Sequence, residues 1–295
     1  MSLKLTAAYK TDVGKQREQN EDKPYTFISE EGESGLFIVA DGMGGYQAGE
    51  VASKLAVEKI SEALRTFFVP LSEQPTVKLT PFAEQETIKL QPMKPGQPEE
   101  SSTPATAHKT RKLPETPIAK NVEEALKSAI QQANKAILSY GEAQPSARGL
   151  GCTVTAALVD GDTAFVANIG DSRTYLFRNG ELTPLTRDHS LVARLVEAKQ
   201  IEQDDVYTHP QRNLIYKSLG AGHKTADPDV FHARLQSGDI LLLCCDGLWE
   251  MVHDSDLARV LSEQHDPQKA CDILIDMANA NGGEDNITAV IVHIS

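Results

Sequence analysis

The sequence predicts an α+β fold in which hairpin-linked strands are covered by amphipathic helices. Three observations carry that prediction. Asp160-Gly161 and Asn179-Gly180 separate apolar, β-rich runs, and these dipeptides favour the tight turns of β-hairpins. Residues 47–68 and 121–140 instead repeat their apolar positions every three or four residues, as helices do. Lastly, short apolar runs such as Leu36–Ala40 and Ile240–Cys245 end on a carboxylate followed by glycine, the pattern of a buried strand breaking into a tight turn.

Composition narrows the class. At 295 residues, 40% apolar and 24% charged, the chain can bury a substantial core. A net charge of −13 argues against nucleic acid or an anionic membrane as partner, because both depend on a basic surface. No apolar run reaches the roughly 18 residues of a membrane span, and the N-terminus lacks a signal-peptide core. The four cysteines form no CxxC pair, so they read as reduced core residues of a cytoplasmic protein and not as a zinc site.

In chain order, Leu3, Leu5, Ala7 and Tyr9 alternate as a short strand. Arg17-Glu18-Gln19-Asn20-Glu21-Asp22 is a polar run between apolar ones; it fits a solvated loop, or an oxyanion clamp at Arg17 with Glu21 and Asp22 beside a cation. The strand ending at Ala40 runs into Asp41-Gly42-Met43-Gly44-Gly45, then into the helix over 47–68. After the second helix, strands are expected at Cys152–Val159, Thr163–Ala167 and Arg173–Phe177. Asp188 or Ser190 can cap a short helix at Leu191–Val196, and 200–226 reads as a surface flap. A buried strand, 239–245, precedes Asp246-Gly247. Helices over 254–264 and 267–280 lead to a last strand, Ile287–Ile294.

Residues 70–118 differ in kind. Nine of the fifteen prolines fall here among many polar residues, so the segment reads as a disordered insertion within one domain of 1–295. A domain boundary is the alternative, and it is disfavoured because the flanking residues complete one pattern. Three related tetrapeptides, starting at Thr76, Thr87 and Thr110, share lysine at +2 and leucine at +3. They fit drift in a biased segment, or regulatory phosphosites of the kind that forkhead-associated domains read, a phosphothreonine with an aliphatic residue at +3.

Asp41, Asp171, Asp246 and Asp285 each stand where an apolar strand meets a glycine-containing turn. Together with Glu21 and Asp22 they predict a convergent acidic cluster, which divalent cations would relieve of its repulsion. Without clustered histidine or cysteine, Mg²⁺ or Mn²⁺ is favoured over zinc. Two such ions can activate a water and polarise a phosphoryl oxygen, which points to metal-assisted hydrolysis of a phosphate ester.

Seven motifs carry a family resemblance: Arg17-x-x-Asn20-Glu21-Asp22, Asp41-Gly42-Met43-Gly44-Gly45, Gly151-Cys152-Thr153, Gly170-Asp171-Ser172-Arg173, Asp188-His189-Ser190, Asp246-Gly247-Leu248-Trp249 and Asp285-Asn286-Ile287-Thr288. In this order the chain resembles the metal-dependent (PPM, type 2C) protein serine/threonine phosphatases of bacterial type, over nearly its whole length outside 70–118. The resemblance implies a four-layer α/β/β/α sandwich of two mainly antiparallel sheets, with the metals at one end. It implies that Asp41 bridges two Mn²⁺ or Mg²⁺ ions, that Gly42 adds its carbonyl, and that Asp246 and Asp285 complete the second site. Glu21 and Asp22 would hold waters around the first ion, and Asp171 with Asp246 a third, weaker ion. Arg17 would bind the substrate phosphate while a bridging hydroxide attacks in line. Phosphorylated proteins, a serine/threonine kinase or its substrates, are the implied partners.

The chain departs from the family in two places. Animal members usually carry histidine at the position of Met43, and that histidine is thought to protonate the leaving group; here water or a flap residue such as His189 would replace it. Glu250 stands where many relatives have aspartate. Besides the phosphatase, two readings compete: a scaffold docking a forkhead-associated partner through Thr76, Thr87 and Thr110, and hydrolysis of a small phosphorylated metabolite. Alanine at all three threonines should abolish capture of the phosphorylated chain by a forkhead-associated domain; unaltered capture would end the docking reading.

Overall fold

The computed structural model describes residues 2–44, 48–68 and 117–295, with only the backbone for 117–120. In order the elements are β1 (Leu5–Asp12), β2 (Lys23–Ile28), β3 (Ser34–Met43), α1 (Ala48–Leu64), α2 (Pro117–Ala143), β4 (Gly151–Asp160), β5 (Thr163–Ile169), β6 (Arg173–Arg178), β7 (Glu181–Pro184), α3 (Leu191–Glu197), β8 (Leu219–Gly220), β9 (Asp229–Arg234), β10 (Ile240–Cys244), α4 (Asp246–Trp249), α5 (Asp254–Glu263), α6 (Pro267–Ala280) and β11 (Ile287–Ile294). Thr76, Thr87 and Thr110, and all of the expected insertion except 117–118, lie outside the described residues.

Among the described residues the strands form two antiparallel sheets. One runs β1-β11-β10-β6-β7; the other runs β2-β3-β4-β5-β9, with β8 pairing off β4. Period-2 alternation builds the layers, because successive side chains of a strand point to opposite faces. On β3, Leu36, Ile38 and Ala40 pack against α1 and α2, while Phe37 and Val39 meet the other sheet. On β10, Ile240, Leu242 and Cys244 face α5 and α6, while Leu241, Leu243 and Cys245 fill the space between the sheets. Both sheets are thus buried on both faces, which explains why their central strands read as continuous apolar runs. The expected α/β/β/α sandwich is present.

The sequence marks no range for β2, β7 or β9, and all three are sheet edges. An edge strand buries little and tolerates proline, here Pro24 and Pro184, so its apolar signal is weak. Helix α2 starts four residues before the expected 121; its first residue is Pro117, a position where the missing N–H costs nothing. The 200–226 segment is more ordered than a polar flap. It contains a turn of 3₁₀ helix and the strand β8, with Val206, Leu219 and Ala226 buried. The cap of α3 is Ser190, whose hydroxyl accepts the Ala193 N–H at 3.3 Å.

Leu242, fully buried at the centre of β10, provides a test of this layering. Leu242→Ala should cost about 2–5 kcal/mol in urea unfolding, whereas Leu214→Ala, at a side chain 52% exposed, should stay within about 0.5 kcal/mol. Equal effects would contradict the assigned core.

Candidate active site

Strand ends from both sheets deliver carboxylates to one end of the sandwich. Asp41 lies near the end of β3, Asp171 between β5 and β6, Asp246 at the start of α4 directly after β10, and Asp285 just before β11. The β1–β2 loop brings Arg17, Glu21 and Asp22. Arg17, Glu21, Asp41, Asp171, Asp246 and Asp285 line a single cleft of about 210 Å³. Gly42 and Met43 lie on its wall; Asp22 is buried behind it. The structure therefore brings Glu21, Asp41, Asp171, Asp246 and Asp285 together in one cleft, with Asp22 behind it.

The backbone around Gly42 leaves no room for a side chain. Its N–H donates to the Glu21 carbonyl at 3.2 Å, and a Cβ at Gly42 would overlap the Glu21 and Gly49 carbonyl oxygens. Glycine here is what lets the loop carrying Glu21 close on the end of β3. Asn286, whose neighbour Asp285 lines the cleft, ties the same loop down. It accepts the Glu21 N–H at 2.8 Å and donates to the Val13 and Gln19 carbonyls at 3.0 and 2.8 Å. The sequence motif contained Asn286 but gave it no role; only the long-range contacts reveal one.

Concentrating these acids in a desolvated cleft opposes their ionisation. Burial, then the charges of Asp246, Asp22, Asp171 and Asp285, hold Asp41 well above the ordinary carboxylate range. Burial and Asp246 do the same to Asp171, and burial and Asp285 raise Asp246. Burial also raises Glu21. Asp22 is pushed up to about 7, chiefly by burial, although Thr288 Oγ1 donates to its Oδ2 at 2.6 Å.

Two oxygens, Asp22 Oδ1 and Asp246 Oδ1, are buried with no hydrogen-bond partner among the described residues. A buried acceptor without a donor is costly, and a hard divalent cation with oxygen ligands satisfies it. The donor set therefore fits Mn²⁺ or Mg²⁺. Cys245 Sγ also lies close, grouped with oxygens of Asp22 and Asp41 within 4.8 Å of one another. It is committed elsewhere, donating to the Asn286 carbonyl at 3.3 Å and accepting the Thr288 N–H at 3.1 Å, and burial raises its thiol well above the usual range. Its place beside the carboxylates was not legible in the sequence, where it read as core.

Four further residues that the sequence raised take these positions. Arg17 Nη2 donates to Asp285 Oδ2 at 2.5 Å, so its guanidinium is anchored at the cleft mouth by a carboxylate. His189 is buried and absent from the cleft wall, which rules it out as the replacement acid in this conformation. Glu250 is also off the cleft wall; it accepts from Arg212 Nε at 3.1 Å and is raised to about 7, mainly by burial. Met43 reaches the cleft, but a thioether has no proton to give.

A sequence profile of the family described as Protein phosphatase 2C matches residues 97–287. The chain is 34% identical over 288 residues to the serine/threonine phosphatase stp of Listeria monocytogenes, covering 98% of this chain and 95% of that one. It is 31% identical over 294 residues to the serine/threonine protein phosphatase PstP of Mycobacterium tuberculosis, covering all of this chain and 46% of that protein. Among solved structures, the Streptococcus agalactiae (S. agalactiae) serine/threonine phosphatase superposes with a TM-score of 0.74 at 29% identity, covering 99% of this chain and 100% of that one. The catalytic domain of PstP in complex with two manganese ions superposes with a TM-score of 0.71 at 29% identity, covering 99% of each.

The raised carboxylates make stability depend on pH when no metal is present. With its folded pKa near 7 against a usual value of 3.8, Asp22 holds a proton in the folded state that the unfolded chain has released. Its contribution is complete below about pH 4 and is lost as pH rises through 7. In EDTA the unfolding midpoint should therefore fall over that window, less so for Asp22→Asn. Mn²⁺ at about 100 times its dissociation constant should restore roughly 2.7 kcal/mol at neutral pH. A midpoint in EDTA that rises steadily with pH would contradict this electrostatic account.

Proposed function

The chain belongs to the protein phosphatase 2C family, and on that premise we propose how the residues of this metal-dependent protein serine/threonine phosphatase divide its work. Asp41, Gly42, Asp246 and Asp285 hold two Mn²⁺ or Mg²⁺ ions, with Glu21 and Asp22 flanking the first. Asp171, with Asp246, holds a third, weaker one. When bound, the ions supply an activated water and polarise a phosphoryl oxygen of the substrate.

The chain's own groups do the rest. Asp22 and Asp246, whose ionisation the empty cleft opposes, would be held as carboxylates by the bound ions, with their unpartnered oxygens as ligand atoms. Arg17, steadied by Asp285, keeps donors free at the mouth of the cleft for the phosphate of a phosphoserine or phosphothreonine. Met43 cannot protonate the leaving oxygen, so solvent does. Convergence of six charged side chains on one cleft is the observation that carries this reading.

The physiological setting follows from the chemistry. The substrates are phosphorylated proteins, the products of a bacterial serine/threonine kinase, met in the cytoplasm, the compartment that suits four buried free thiols. Residues 1–295 form one catalytic domain, interrupted at about 70–118. Docking of a forkhead-associated partner at Thr76, Thr87 and Thr110 would regulate an active enzyme rather than replace it, because every acid of the cleft is intact.

Phosphate release from phosphothreonine and phosphoserine peptides, with Mn²⁺, Mg²⁺ or EDTA, tests this. Turnover should require metal and fall by more than about 100-fold in Asp41→Asn, since even groups that only support metal ligands cost 10–100-fold when changed. Arg17→Ala should raise KM more than it lowers kcat. An Asp41→Asn enzyme with wild-type turnover would overturn the assignment.

A further inference from the structure

Asp171 stands on a turn that has no secondary structure of its own, yet its carboxylate must be aimed into the cleft. The residue before it is held by a buried histidine that is absent from the cleft wall. The Gly170 N–H donates to His189 Nδ1 at 3.0 Å, and the His189 N–H donates to the Gly170 carbonyl at 2.9 Å. One residue thus grips the peptide groups on both sides of Gly170. Gly170 has a φ of +112°, and a Cβ there would overlap Thr153, so the turn is held against β4 in a backbone conformation that other residues rarely adopt. On the far side of the turn, the Trp249 indole N–H donates to the Asp171 carbonyl at 3.0 Å.

The histidine also reaches the opposite wall of the cleft. Its carbonyl accepts the Tyr216 N–H at 2.8 Å, and the Leu191 N–H donates to the Leu214 carbonyl at 2.8 Å. Between them Ser190 bridges Ile215, which with Asn213 lines the cleft. Because Nδ1 accepts, the ring proton sits on Nε2, which makes no hydrogen bond among the described residues and stands 3.4 Å from Asp229 Oδ2. The Gly170 N–H thus selects the tautomer, and the Asp229 carboxylate, itself paired with Lys217 at 3.3 Å, favours it through its charge.

We propose that His189 is a positioning residue: it clamps the Gly170 turn to the 214–216 wall and so fixes the Asp171 carboxylate for the weakest of the bound metal ions. The proposal rests on the assignment of Asp171 made above. It differs from a packing role, which would need only the volume of the ring.

Mn²⁺ binding to the full chain, followed by electron paramagnetic resonance and calorimetry beside thermal unfolding, separates the two. His189→Asn keeps an acceptor where Nδ1 stands, and His189→Leu keeps the bulk without it. The clamp predicts that Leu weakens the weakest Mn²⁺ site about tenfold, as changes to groups supporting metal ligands do, while the two tighter sites hold and Asn stays close to wild type. Wild-type binding by the Leu variant, or an Asn variant no better than Leu, would overturn it.

Should the Leu variant fail to fold, Asp229→Ala, at a side chain 40% exposed, carries the test. It should weaken the same site severalfold, and an unchanged site would count against the clamp. Asp171→Asn, measured alongside, should remove that site. If it does not, the Asp171 assignment itself has failed, and the clamp with it. If it does while His189→Leu binds like wild type, only the clamp has failed.

Discussion

Mutual repulsion among the acids at one end of the sandwich is the constraint that the rest of the structure accommodates. Asp22, Asp41, Asp171 and Asp246 each raise, or are raised by, another member of the set. Left to themselves such side chains would swing apart into water. They cannot, because each is fastened to the end of a strand or to a turn pinned by buried polar groups. The energy that opposes ionisation in the empty cleft is what makes cation binding favourable there, so folding stores an affinity that loading releases.

The fastening is polar and runs between the two sheets. Thr155 on β4 and Thr174 on β6 share a hydrogen bond at 2.6 Å, as do Thr153 and Ser172. Thr288 on β11 reaches Asp22 at the head of β2. Farther from the cleft the same interface is filled by Phe37, Val39, Leu241 and Leu243. An apolar interface sets only the distance between sheets; hydroxyl pairs also set their register. The polar pairs cluster at the end where the two sets of carboxylates must meet.

Behind Asp171 the supports are charged as well as polar. Arg173 stacks on the Trp249 ring at 3.5 Å, pairs with Asp188 at 2.7 Å and donates to the Tyr175 hydroxyl at 2.9 Å. Asp188 and His189 are adjacent in sequence, so one dipeptide holds the ring that grips the Asp171 carbonyl and the peptide that precedes it. A buried ion pair of this kind adds little net stability; its contribution here is orientation. Arg212 provides a looser tie, joining the 213–215 wall to Glu250 and Glu284 at 3.1 and 3.0 Å. Glu250, where many relatives have aspartate, is one end of that tie.

The sequence by itself determined the central strands, the helices and the six acids of the site. Those features are written in local signals: period-2 and period-3.6 burial, Asp-Gly and Asn-Gly turns, and carboxylates placed at strand ends. The edge strands β2, β7 and β9 were not legible because they bury little and β2 and β7 contain proline, whereas the edge strand β1 was betrayed by its alternating apolar residues. Only the tertiary structure decided which neighbours the site residues have. Arg17 leans on Asp285, Cys245 sits behind Asp22 and Asp41, and Asn286 ties down the Glu21 loop, contacts that span as many as 273 residues of chain. His189 is the clearest case. A lone histidine after an aspartate is compatible with acid, ligand or core, and the partners that favour a structural place lie at Gly170, on β9 and on the 214–216 wall. Local chemistry fixes what a residue can do; the packing of distant segments fixes which of those things it does.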